Sequence, residues 1–207
     1  MVRIVVPVVA LVAFSRVVVA QEPRSYAGGT FNFVTQTHSN EERLGGTTPG
    51  GSALFGVRVS PRVAIEFEPS FGGAYSWEYT YITGVSGFYA HVIASRRDTF
   101  FPVQARIRMG VLEPVVGVAF VHGKISRHAT SSRDGSPYFD DSRSDNDPAL
   151  VAGLDAALKL TSRVSVVPTL RMLVLPRGPK PVSDPLGEQT STGSFVFRYG
   201  IGARVPF

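Results

Sequence analysis

The sequence predicts an all-β fold, an eight-stranded antiparallel up-and-down barrel, and three observations carry that reading. Apolar and polar residues alternate with period two in stretch after stretch, and no stretch has helical period. Short and long connections between those stretches alternate strictly, so one end of the sheet holds the turns and the other the loops. The closing stretch, GSFVFRYGIGARVPF, places Phe195, Phe197, Tyr199, Ile201, Ala203, Val205 and Phe207 on one phase and Ser194, Arg198 and Arg204 on the other.

Composition narrows the compartment. The chain has 207 residues, enough for one domain, and 43% of them are hydrophobic, which excludes general disorder. Its first stretch, MVRIVVPVVALVAFSRVVVA, sets Arg3 ahead of an apolar run from Ile4 to Phe14 and closes on Val18, Val19 and Ala20. That is the pattern of a secretory signal peptide over residues 1–20, cleaved after Ala20, with residues 21–207 as the barrel domain. Pro7 and Arg16 interrupt the run, which falls short of the roughly 20 apolar residues a helical span needs. Loss of Arg3 and Arg16 takes the formal charge from +5 to +3, too mild a balance to argue for nucleic acid. There is no cysteine, so disulfides, thiolate metal sites and a cysteine nucleophile are excluded.

The strands follow in order. YAGGTFNFVTQ sets Phe31 and Phe33 against Thr30 and Asn32. GSALFGVRVSP sets Ala53, Phe55, Val57 and Val59 against Ser52, Arg58 and Ser60, and RVAIEFEPSF sets Val63, Ile65, Phe67 and Phe71 against Arg62, Glu66, Glu68 and Ser70. TFFPVQARIRMG opposes Phe101, Val103, Ala105, Ile107 and Met109 to Gln104, Arg106 and Arg108. EPVVGVAFVHGKI is apolar on both phases, which leaves its facing open. PALVAGLDAALKLT opposes Leu150, Leu154, Leu158 and Leu160 to Asp155 and Lys159; RVSVVPTLRML opposes Val164, Val166, Leu170 and Met172 to Ser165, Thr169 and Arg171. Pro69, Pro102 and Pro168 each remove a ladder hydrogen bond and belong at bulges or strand ends, and Pro168, near mid-strand, predicts a local bulge. Arg96 and Arg97 are adjacent, so one of them faces outward, beyond the hydrocarbon.

Tight turns are expected around Pro61, around Gly110 and from Thr161 to Arg163. The long connections are THSNEERLGGTTPG, the aromatic stretch from Gly72 to Asp98, SRHATSSRDGSPYFDDSRSDND and PRGPKPVSDPLGEQTST.

Charge decides which phase would face lipid. Were the polar phase outward, Arg58, Glu66, Glu68, Arg106, Arg108, Asp155, Arg171 and Arg198 would lie in hydrocarbon, at roughly 2–4 kcal/mol for each basic residue near the midplane. The arginines alone would cost on the order of 10 kcal/mol, comparable with a domain's whole stability of about 5–15 kcal/mol. In a membrane barrel these residues therefore line the lumen. A soluble lipocalin-like periplasmic carrier, its apolar face turned inward, satisfies the same alternation. Against it stand Phe207 and a ladder of Phe71, Tyr75, Trp77, Tyr79 and Tyr81, which continues the third strand's apolar phase to a height where aromatics suit a membrane interface.

The leader, the strands of about ten residues, the alternating connections and the closing YGIGARVPF resemble the small eight-stranded outer-membrane β-barrels of Gram-negative bacteria, single-domain and OmpA-transmembrane-domain-like. The resemblance spans the whole mature chain at the level of pattern. It implies a transmembrane barrel with short periplasmic turns and long extracellular loops, a monomer in the bacterial outer membrane among lipid and lipopolysaccharide. It also implies an assembly signal, Tyr199, Ile201, Ala203, Val205 and Phe207, read by the barrel-assembly machinery; Ala203 is smaller than that pattern favours.

Eight strands enclose an interior just wide enough to be filled by side chains, and buried charges are tolerated when paired. The lumen set thus reads as a salt-bridge network that plugs the barrel, in a protein with a structural or surface-interaction role, no cofactor, and an extracellular partner met through the loops. Its excess of arginine leaves a narrow anion-preferring pore as an alternative. A lipid A-modifying hydrolase is another, since His91 and Ser95 lie four apart on one strand face with Glu78 on the neighbouring strand; His38, His122 and His128 are the remaining histidines. No motif ties them to a hydrolase family. DDSRSDND gathers Asp140, Asp141, Asp145 and Asp147, oxygen ligands of the kind calcium takes, but with Arg143 among them and without an EF-hand's glycine and closing glutamate it reads as a solvated acidic loop.

Overall fold

The computed structural model describes residues 24–37, 46–82, 89–175, 182–183, 189–190 and 195–207. The expected leader over residues 1–20, and His38, lie outside the described residues. The alternating stretches form strands β1 (Ser25–Thr37), β2 (Gly46–Arg58), β3 in three segments (Val63–Phe67, Ser70–Gly72 and Tyr75–Ile82), β4 (Tyr89–Ile107) and β5 (Leu112–Ser131). They continue as β6 (Pro137–Ala156, extended by Leu158–Lys159), β7 (Ser165–Val174) and β8 (Phe195–Pro206). A short ladder also joins Val182–Ser183 to Gln189–Thr190.

Each strand pairs antiparallel with its neighbours in sequence, and β1 pairs with β8 as well as β2, so the ring closes and has no edges to protect. Phe207 extends that seam, its backbone N–H donating to Ser25 O at 2.9 Å. Following the register from Leu150 through Val118, Val103, Phe67, Phe55 and Ala27 leads to Val205. From the adjacent Arg204 it passes through Ser165 to Lys159, so the circuit closes about ten residues along β6, a stagger that tilts the strands of a narrow, side-chain-filled barrel.

Outside the ring runs a belt of large apolar side chains. Phe55 and Ile201 are each 54% exposed and Phe71 61%, whereas the inward phase buries Glu66, Glu68, Arg106, Asp155, Arg171 and Arg198 to 3% or less. An apolar surface of that extent belongs in lipid, not water. It sets aside the lipocalin-like alternative, whose apolar face would point inward. β5, ambiguous in sequence, takes its facing from its neighbours: Val115 and Val121 pair with Arg106 and Phe100 and are buried, while Val116, Val118 and Phe120 point out.

The prolines are accommodated more simply than expected. Pro168 sits in register opposite Ile201, and on its other side the ladder runs from Val166↔Leu158 to Thr169↔Asp155 without a shift. Its missing N–H leaves a gap in the ladder, not a bulge. Pro102 leaves another such gap opposite Glu68, whose N–H still donates to Pro102 O at 3.1 Å, and Pro69 leaves one on the β2 side, where its carbonyl accepts from Ala53 N at 3.0 Å; β3 keeps its register with β4 throughout, from Phe67↔Val103 to Ser70↔Phe100.

A register shift does occur after Phe71, which pairs with Thr99 while Tyr75 pairs with Arg96. Because side chains alternate with period two, a shift of one residue changes which face a given position takes. Tyr79 consequently packs on Ala90, Val92 and Ala129 and does not continue the outward phase of Phe71. The side chains of Tyr75, Trp77 and Tyr81 lie outside the described residues; their backbone positions pair with Arg96, Ala94 and Ala90.

The stretch expected as a long acidic loop is also different. SRHATSSRDGSPYFDDSRSDND is a hairpin, β5 running on to Ser131 and β6 starting at Pro137, around a turn in which Gly135 adopts φ +69°. The last segment of β3 and the upper halves of β4, β5 and β6 therefore form a four-stranded sheet that continues beyond the apolar belt.

Candidate functional site

The inward phases of the strands converge on a charge network at the turn half of the lumen. Arg106 of β4 is its hub. Nε donates to Glu66 Oε1 at 2.5 Å and Nη2 to Glu66 Oε2 at 2.6 Å, a bidentate fork, while Nη1 reaches Glu113 Oε2 at 3.0 Å and also Asp155. Arg171 of β7 donates twice to Asp155, with Nη2 at 3.1 Å, and the same Nη2 lies 3.3 Å from Glu68. Arg198 of β8 reaches Glu68 and Ser70. Gln104 Nε2 bridges the two glutamates, donating at 3.1 Å to Glu66 and 2.9 Å to Glu68, and Ser52 Oγ donates to Glu68 at 3.1 Å.

Sequence reading missed several members. Tyr26 donates its hydroxyl to Glu66 Oε1 at 2.5 Å, and Arg204, 5.2 Å over the Tyr26 ring, donates to Glu113 at 2.8 Å. Gly56 makes this possible: a Cβ there would run into the Tyr26 ring. Arg204 shares the polar phase of Arg198 and was legible on that ground, whereas Glu113 opens a strand that is apolar on both phases and carries no such signal. Arg58 and Arg108, expected inside, are only partly buried and stand at the turn-side mouth; Arg108 Nε lies 3.9 Å from Glu113.

The resulting balance is even. Arg106, Arg171, Arg198 and Arg204 face Glu66, Glu68, Glu113 and Asp155, four guanidiniums against four carboxylates among the described residues. The excess of arginine that motivated an anion pore is not present in the interior. Next to the network lies an apolar layer that includes Val34, Phe100, Val121, Val151, Leu173 and Val196, with Phe100 and Leu173 no more than 1% exposed.

Beyond that layer the projecting sheet has its own inner charges. Arg96 donates to Asp98 at 2.8 Å and to Asp145 at 3.1 Å, and Arg127 to Asp141 at 2.5 Å. Gly123, in register between Asp98 and Asp145, leaves the room that Arg96 fills, since a Cβ there would meet all three side chains. The acidic run is thus split by strand alternation, Asp141 and Asp145 binding arginines on the inner face. Among the described residues no three His, Cys, Asp or Glu side chains gather as metal ligands. Arg96 is buried at 3%, and the adjacent Arg97 is exposed on the outer face.

The outer face changes character abruptly. Phe101 and Phe120 pair across β4 and β5 with ring centroids 6.4 Å apart; in the next outward row Thr99, His122 and Asn146 align, His122 Nδ1 lying 2.7 Å from Asn146 Oδ1. One row further, Arg97 stands directly opposite Lys124. His91 lies still higher, its Nε2 3.4 Å from Glu78 Oε2, both well exposed. Ser95 is on the same face, but four residues along a strand span about 13 Å, too far for His91 to take its proton.

No protein-family model matches the chain, and no curated protein matches it in sequence. Solved structures match its fold. The crystal structure of Ail, the attachment invasion locus protein of Yersinia pestis, aligns with a TM-score of 0.54 at 12% identity, over 90% of this chain and 100% of that one. The same protein in complex with the heparin analogue sucrose octasulfate gives 0.53 at 14% identity over the same shares. A major outer membrane protein from Thermus thermophilus gives 0.50 at 13% identity, over 87% of this chain and 99% of that one. The fold is that of the small outer-membrane β-barrels.

Proposed function

We propose that the protein is a monomeric outer-membrane barrel without catalytic activity, whose interior is a structural plug and whose interactions are made by the sheet projecting beyond the membrane. The observation that carries this reading is the row-by-row change along β4 and β5, from Phe101 and Phe120 to Thr99 and His122 to Arg97 and Lys124. It marks the outer limit of the hydrocarbon and leaves about nine residues of β4, roughly 30 Å, standing above it. Two like charges placed directly opposite each other repel. Just outside an apolar belt, that pair suits phosphate groups of lipopolysaccharide, whose anionic charge would relieve the repulsion.

The attachment role in the name of the Yersinia pestis neighbour, and its complex with a sulfated sugar, support a surface role for this chain as well. The test has two arms. Barrels carrying R97Q/K124Q should co-purify with several-fold less lipopolysaccharide than wild type while folding normally. Replacing residues 73–98 and 123–147 by tight turns should leave a heat-modifiable barrel that no longer confers cell adhesion. Release of fatty acid from lipid A, abolished by H91A, would instead establish the hydrolase.

A further inference from the structure

At the turn end the lumen opens into a cavity of about 240 Å³. Its floor is the charge network, represented by Arg106, Arg204 and Glu113. Arg58 and Arg108 stand in its wall, and Arg62, Lys159 and Arg163 are carried to its rim by the turns between β2 and β3 and between β6 and β7. Both turns are fixed by side-chain caps. Ser60 Oγ accepts from Val63 N at 3.0 Å, and Thr161 Oγ1 accepts from Val164 N at 3.0 Å.

Glu113 is the one carboxylate lining the cavity among the described residues; it pairs with Arg106 and Arg204 and lies 3.9 Å from Arg108. Among the described residues the other charged groups of the lining are Arg58, Arg62, Arg108, Lys159 and Arg163, so its cations outnumber its single carboxylate. Like charges around a cavity with low-dielectric walls focus their field into it. Guanidinium forks match phosphate oxygens in pairs. The volume lies below the roughly 300–1,000 Å³ of sites for drug-sized molecules, which selects a compact ligand.

We propose that this turn-end cavity binds the phosphate of a compact anion from the periplasmic side. The phosphate belongs either to a soluble diphosphate or to the headgroup of an anionic lipid of the inner leaflet reaching round the turns. Neither source passes through the barrel, since the network and the apolar layer close it beyond the cavity.

The experiment is calorimetric titration of the folded barrel, in neutral detergent at ~50 mM salt to limit screening, with pyrophosphate as the probe. Wild type should bind it saturably, R58Q/R108Q should weaken the affinity about tenfold or more, and R62Q/R163Q, whose side chains lie on exposed turns, should weaken it several-fold. Heat-modifiability of each variant reports that the barrel has folded. Absence of saturable binding to wild type, or unchanged affinity in both folded variants, would overturn the proposal. Repeating the titration in phosphatidylcholine nanodiscs with and without phosphatidylglycerol separates the sources: competition by phosphatidylglycerol assigns the site to the headgroup, and its absence to the soluble anion.

Discussion

Arg171 and Arg198 are direct cross-strand partners, two buried guanidiniums on one face of adjacent strands, and Glu68 reaches from the far side of the lumen to pair with both. Side by side the two cations repel; Glu68 converts that repulsion into a tie between β3 and the β7–β8 wall. Replacing Glu68 by Gln keeps the shape but removes the charge and one of the two acceptor oxygens, so both arginines lose their shared counter-charge. A loss of about 3–5 kcal/mol is expected for breaking such a buried group. Denaturant titration of the detergent-folded barrel should show it, and an unchanged midpoint would mean that this face is in water.

Tyr26 and Gly56 make a second, steric prediction. The Tyr26 ring occupies the space a Cβ at position 56 would need, and from there its hydroxyl reaches Glu66. G56A should therefore cost about 1–3 kcal/mol through overpacking. In Y26F the same substitution should add little for the hydrogen bond, since that bond is already gone. Equal losses in the two backgrounds would show that the ring clash dominates.

Closure of the lumen predicts electrical silence. The charge network and the layer around Phe100 and Leu173 stand in series across the interior. Wild-type protein in a planar bilayer should give no discrete conductance steps. Steps that disappear on neutralising Arg106 would revive the anion pore.

The projecting sheet should respond to acid through Asp141. The Arg127 guanidinium beside Asp141 holds its carboxyl below the usual carboxylate range. A carboxyl depressed in the folded state contributes stability that is fully present above its unfolded value of about 3.9 and is lost as pH falls through the folded value. Hydrogen exchange, corrected for intrinsic rates, should show protection of the upper β5–β6 ladder holding down to about pH 4 and falling below it. D141N should show the reduced protection already at neutral pH.

Phe207 is 72% exposed, yet its backbone closes the β1–β8 seam. F207S keeps that hydrogen bond and removes the aromatic. If the side chain serves the assembly machinery, exported protein should persist while the folded, heat-modifiable fraction drops. Unchanged assembly would leave Phe207 with its seam contact alone.

The alternation of residues by itself determined most of the strand set and the facing of most strands, because period two writes burial directly into sequence wherever one face is apolar and the other charged, and the alternating connection lengths gave the up-and-down order. Glu66, Glu68, Arg106, Asp155, Arg171 and Arg198 were legible for that reason. Where both phases are alike the signal vanishes: β5 is apolar on both, the upper β5–β6 hairpin polar on both, and there only pairing with neighbours fixed strand and facing. The shift after Phe71 was equally invisible, since one extra residue in a ladder leaves composition unchanged yet puts Tyr79 on the inner face. The recruitment of Glu113 and Arg204, which makes the interior neutral, depended on which carboxylates and guanidiniums the closed barrel brings across the lumen from strands far apart in sequence, a matter of distance that only the tertiary structure decided.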